Sequence, residues 1–163
     1  MHKPLLFGHT DKKRKGVVKM ADNDTIRLLR ECDAGAKMGV SSIEDVLKYV
    51  KSDELRQMLK KCKDDHEALG HEIDIYLAEC GDDGKSPNPI AKGMSWIKTN
   101  VKLGMHEDDK TVADLMTDGC DMGVKSLSRY LNQYKAADER AKDIARRLIT
   151  LEEDLGKGVR GYL

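Results

Sequence analysis

Aromatic side chains are scarce in this chain: one Trp, one Phe and five Tyr among 163 residues. So few rings leave no stacking platform for single-stranded nucleic acid. Net charge is missing too, since 29 Lys and Arg are balanced by 29 Asp and Glu. Without an overall field, nothing steers the protein towards nucleic acid or an anionic lipid surface. No apolar run approaches the ~20 residues that cross a bilayer, so no membrane partner is expected. The four cysteines, Cys32, Cys62, Cys80 and Cys120, form no C-x-x-C pair. They read as small buried hydrophobes and reduced thiols, which points to a cytoplasmic protein rather than a disulfide framework. A Gly-rich phosphate loop, a nucleophile elbow and a Ser/His/Asp constellation are absent as well, and the reading leans away from an enzyme.

What is present is charge, helical periodicity and a repeat. Apolar residues make up 39% and charged residues 36%, the balance of a strongly helical protein whose length suits one domain with a sizeable core. The stretch Asp33 to Ile43 recurs 84 residues later as Thr117 to Leu127, with five of eleven positions identical. His66 to Leu77 recurs 86 residues later as Glu152 to Leu163, with five of twelve identical. Two matches at nearly one spacing point to a duplicated helical hairpin.

The first 22 residues carry six Lys or Arg against two Asp, and are expected as a flexible basic arm. Met20 is a plausible alternative start, which would leave residues 1–19 as an extension. The bundle domain is expected over 23–163. Its first helix is predicted from a cap at Asn23 or Asp24 to about Val50, with the stripe Ile26, Leu29, Asp33, Ala36, Val40, Ile43, Leu47 and Val50. The second follows a turn at Ser52 and carries Leu55, Leu59, Cys62, His66, Leu69, Ile73, Tyr76 and Cys80. The third starts near Asp108 or Asp109 and carries Ala113, Thr117, Cys120, Val124, Leu127, Leu131 and Tyr134. The fourth runs from about Ala137 with Ala141, Ala145, Leu148, Glu152, Leu155, Val159 and Tyr162. Between the second and third, Asn88-Pro89 opens a short amphipathic helix bearing Ile90, Met94, Ile97 and Val101, flanked by Trp96. Short loops within each pair and a long connection between pairs predict an all-α, up-down-down-up bundle with one crossover.

In that arrangement Asp33, His66, Thr117 and Glu152 are expected at one height in the core. A buried carboxylate costs several kcal/mol unless it is paired, hydrogen-bonded or bound to metal. The layer therefore reads either as a hydrogen-bonded network that sets helix register or as a centre for Fe, Mn or Zn, with Glu67, Asp118 and Glu153 able to turn inward. Cys62 and Cys120 are expected on opposite sides of it, about 10 Å apart along the axis, too far for a disulfide.

Over residues 23–163 the chain resembles the ferritin-like superfamily, rubrerythrin-type bundles in particular. It is most similar to an uncharacterised bacterial family of ferritin-like four-helix-bundle proteins with a Trp-Lys-type crossover helix, here Lys92 to Lys98. In di-iron members the first and third helices each give a Glu, and the second and fourth each give Glu-x-x-His. Carried over, the resemblance puts Asp33 at the first Glu, Glu67 and Glu153 at the motif glutamates, and Thr117 or Asp118 at the third-helix Glu. Gly70 and Gly156 stand at both motif histidine positions. His66 and Glu152 could compensate only from neighbouring positions. The resemblance thus implies a non-enzymatic ferritin-like bundle with a degenerate metal site, alongside the alternative of a remodelled redox or metal-handling site. The glycine pairs Gly35/Gly39 and Gly119/Gly123 suggest close helix contact or a subunit interface, and a homo-oligomer, a dimer, is expected.

Overall fold

The computed structural model of the chain describes residues 18–82 and 106–163, with residues 18–22 described in backbone only. The expected crossover helix and residues 1–17 of the expected arm lie outside the described residues. Four α-helices and no strand are present among the described residues. They are α1 (Val18–Leu47), α2 (Asp53–Glu79), α3 (Asp109–Gln133) and α4 (Glu139–Val159), with a 3₁₀ turn over Arg160–Tyr162.

Side-chain caps set three of the helix starts. Ser52 accepts from Leu55 N at 3.3 Å, Asp108 from Thr111 N at 2.8 Å and Asp138 from Ala141 N at 2.8 Å, each satisfying an amide that the helix cannot. The backbone of α1 begins at Val18, ahead of the expected caps Asn23 and Asp24.

α1 packs chiefly on α2, and α3 on α4, while α4 also touches both α1 and α2. Polar contacts tie the helix ends together. At one end, Asp109 accepts from Lys51 N (2.7 Å) and Ser52 N (2.9 Å), clamping the α1–α2 turn to the start of α3. At the other, Thr25 accepts from Asp138 N (2.9 Å), Asp24 accepts from Ala136 N (3.0 Å), and the Tyr76 hydroxyl donates to Asp138. Arg30 pairs with Asp82 at that same end.

The buried apolar residues fall into two clusters. One includes Ile43, Val50, Leu55, Leu59, Leu115, Leu155 and Val159. The other includes Leu28, Cys32, Leu69, Ile73, Leu127, Ile144 and Leu148. On every helix the boundary between clusters falls at one residue: Gly39 on α1, His66 on α2, Gly123 on α3 and Glu152 on α4.

The α2 and α4 stripes match the four-three pattern of the sequence, except that Cys80 is half-buried and Leu77 and Ile144 join the core. Those of α1 and α3 need correcting. The α1 seam runs through Thr25, Leu29, Cys32, Ala36, Gly39, Ile43, Val46 and Val50, so Thr25, Cys32, Gly39 and Val46 replace Ile26, Asp33, Val40 and Leu47. On α3, Met116 and Gly123 take the places expected of Thr117 and Val124. The cause is physical. A glycine at a seam position carries no apolar side chain to mark it, and the neighbouring valine, one residue on, marks the wrong row.

Asp138 serves as both helix cap and Tyr76 acceptor, so Asp138→Ala should lose the cap and leave a buried phenol without its partner. We expect a loss of about 2 kcal/mol, measured as a lowered urea midpoint by circular dichroism. Tyr76→Phe, which keeps the cap, should lose less.

Candidate functional site

His66 is a buried polar residue, 1% exposed, and its surroundings specify its protonation. Nδ1 lies 2.8 Å from the carbonyl oxygen of Cys62, one turn earlier, and a carbonyl can only accept; Nδ1 therefore carries a proton. Nε2 lies 3.0 Å from Oε1 of Glu152, whose side chain is 12% exposed. An imidazolium paired with a carboxylate satisfies both contacts. Burial opposes the charge, but the side-chain contacts with the Cys62 sulfur and with Glu152, together with the Glu152 charge, outweigh it, and the His66 pKa is raised from 6.5 to about 10. Glu152 also faces the Cys120 thiol. Burial first, then the charge and hydrogen bond of Glu152, push that thiol well above its ordinary range.

The space for this pair is cut out of α1 and α3. A Cβ at Gly39 would lie 2.6 Å from Cδ2 and 2.7 Å from Nε2 of His66. A Cβ at Gly123 would lie 3.1 Å from Cδ of Glu152. A Cβ at Gly156 would lie 3.3 Å from Cys120 Cβ, and one at Gly70 would lie 4.0 Å from Ala36 Cβ. The expected close helix contact is present, and at Gly39 and Gly123 it is contact with the polar pair.

The remaining candidates are elsewhere. Asp33 lies six residues before Gly39, about 9 Å along the helix axis; its Oδ2 accepts from Lys37 Nζ at 2.6 Å, and its Oδ1 is buried without a partner. Thr117 lies six residues before Gly123, and its Oγ1 is likewise buried and unpartnered. Asp118 and Glu153 are exposed, and Glu67 is exposed and pairs with Lys63 at 3.5 Å. Of the expected layer only His66 and Glu152 meet, and its other two members are Gly39 and Gly123. Among the described residues no three His, Cys, Asp or Glu are grouped to hold a metal ion. The donor set does not fit a di-iron centre, because Gly70 and Gly156 offer no side chain and Glu67 and Glu153 face outward.

Cys62 and Cys120 were expected on opposite sides of the layer, but both belong to the same cluster, beside the pair. Cys62 Sγ lies 3.4 Å from His66 Nδ1. On α3 the pair stands level with Gly123, nearly two turns beyond Thr117, which puts Cys120 on the same side of it as Cys62. All four cysteines are free thiols.

Sequence reasoning missed Gly39 and Gly123 as site residues. Their repeat mates were visible, and so was the pairing of His66 with Glu152 in the second repeat. No protein-family model, curated protein or solved structure matches this chain.

Two experiments follow. Gly39→Ala should cost about 2 kcal/mol, since His66 is hydrogen-bonded on both nitrogens and cannot give way. Gly35→Ala, where a Cβ meets nothing nearer than Leu127 at 4.0 Å, should stabilise by about 0.5–1 kcal/mol. Denaturant melts of the two variants check the contrast. The second concerns pH. The folded-state pKa of His66 exceeds its unfolded value, so its contribution is fully present below 6.5 and is lost as pH rises through about 10. The urea midpoint should fall across that window in the wild type, and the part due to His66 should vanish in His66→Leu.

Proposed function

We propose that the chain is a non-enzymatic, ferritin-like helical bundle that acts by association rather than by metal redox chemistry. The observation that carries this is the His66–Glu152 pair. It stands at mid-bundle, where a ferritin-like protein would hold metal, and its facing atoms are bonded to each other. A carboxylate and an imidazole satisfied in this way have little reason to open for a cation.

The up-down-down-up order belongs to this reading. It is supported by the polar contacts at the ends, which group Thr25, Tyr76, Asp82 and Asp138 together and Lys51, Ser52 and Asp109 together. A duplicated hairpin is supported by the correspondence of the Gly39–His66 contact with the Gly123–Glu152 contact at the repeat spacing. A homo-oligomer, a dimer in the first instance, remains part of the proposal. Its surface has to come from elsewhere than Gly39 and Gly123, which are spent on internal contact.

The competing reading is an Fe, Mn or Zn site remodelled from Asp33, His66, Glu67, Glu152 and Glu153. Elemental mass spectrometry on tag-free protein grown in metal-supplemented medium decides between them. We expect metal well below one ion per chain, unchanged in His66→Ala. Stoichiometric metal that disappears in His66→Ala would overturn the proposal. Light scattering coupled to size exclusion should return a dimer mass, and a monomer at all concentrations would remove the oligomer from it.

A further inference from the structure

Sulfur collects on one side of the bundle. A groove of about 260 Å³ opens between α1 and α3, and Met38, Met116, Cys120 and Met122 line it. Among the described residues, Met58 is the one methionine with a described side chain that lies elsewhere. Core packing alone does not account for this. A methionine that only fills a core is buried, as Met116 is at 5%, whereas Met38 and Met122 are 39% and 42% exposed.

The polar pair sets the heights of these side chains. Gly39 faces His66 and Gly123 faces Glu152, and the two side chains are bonded to each other, so both glycines stand at one level of the bundle. Met38 and Met122 each precede such a glycine by one residue and reach that level from opposite walls of the groove. Cys120 is three residues before Gly123, about 4.5 Å along the axis. Met116 stands a further turn away. Two thioethers and a thiol therefore share one short stretch, the thioethers at the mouth and the thiol, 2% exposed, on the floor.

The hard donors of the groove are already engaged, Glu152 with His66 and Glu31 with Tyr130. No Lys, Arg or His is among its described lining residues, so no like charge opposes a cation there. What remains, beside the hydroxyls of Ser42 and Ser126, is sulfur. Thioether and thiolate sulfur are soft, polarisable donors, and together they select Cu(I) over the harder divalent ions. We propose that the groove binds one Cu(I) ion between Cys120, Met38 and Met122. On binding, the Cys120 S–H bond is replaced by a Cu–S bond and its proton leaves to solvent. No electron moves, and the thiolate charge cancels that of the ion, so the apolar wall receives a neutral centre. Proton release makes the affinity fall as pH falls. The flexible methionine side chains close on the ion from either wall. The site shares no donor with the Fe, Mn or Zn alternative above, so neither result bears on the other.

Titration of the reduced full chain, carbon-13 labelled at the methionine methyls, with Cu(I) under nitrogen tests it. The Met38 and Met122 methyl resonances should shift together and stop at one equivalent, while that of Met58 stays in place. Zn(II) should leave all three unmoved. Competition with a chromophoric Cu(I) chelator then reads the affinity. The Met38→Leu and Met122→Leu double variant keeps the size and apolarity of both side chains. It should weaken Cu(I) at least as much as losing an outer-shell partner does, about tenfold or more. Cys120→Ser should weaken it further; because Cys120 is buried against Glu152, the leucine variant, at exposed positions, keeps the test decisive if the serine variant fails to fold. The proposal is overturned if Cu(I) leaves the Met38 and Met122 methyls in place, if Met58 shifts as much as they do, or if the leucine variant binds Cu(I) as tightly as the wild type.

Discussion

The hydrogen bond between His66 Nε2 and Glu152 Oε1 joins α2 to α4 at the centre of the bundle, and much of the structure is arranged around it. Two ionised groups in an apolar core are tolerated only when each satisfies the other and the remaining polar atoms find partners. Here the Cys62 carbonyl takes the second imidazole proton, and the Cys120 thiol faces the carboxylate. The pair divides the core into two apolar clusters, and its register is fixed along both helices. Sliding α2 by one turn past α4 would set Cys62 or Gly70 opposite Glu152 and leave a buried carboxylate without its cation.

The glycines follow from the pair. An imidazole that points from α2 towards α1 needs a gap in the facing helix, and Gly39 is that gap; Gly123 does the same for Glu152. Glycine in a helix interior is normally a cost without return. The two stretches that share Gly-x-x-Met-Gly-Val are therefore packing devices, a polar side chain from the neighbouring helix filling the space that each second glycine leaves. Gly35 differs, since a Cβ there would meet nothing nearer than Leu127 at 4.0 Å.

Much of the bundle was legible from residues alone. Ser52 and Asp108 announce helix starts because their side chains can cap, and they do so. The α2 seam reads correctly since it is apolar at every position but one, and that one exception is His66. Its partner was legible too, since the repeat sets Glu152 opposite it. What could not be read was the register of α1 and α3. Both four-three rows pass through Ala36 and Ile43, and the row with valine at position 40 has more hydropathy than the row with glycine at 39. Asp33 was drawn into the layer by that misreading, and Thr117 with it. Hydropathy records what a side chain adds, and here the informative residues are those that add nothing.

Nitrogen-15 NMR of the protein labelled at histidine, recorded near pH 8, tests the central claim most directly. An ordinary histidine is neutral there, with one bare ring nitrogen. The account predicts that His66 shows two protonated nitrogens, the signature of an imidazolium held against Glu152, and that Glu152→Gln abolishes it. A His66 ring with one unprotonated nitrogen at that pH would contradict the account: the pair would not be an ion pair, and the glycine gaps around it would need another explanation.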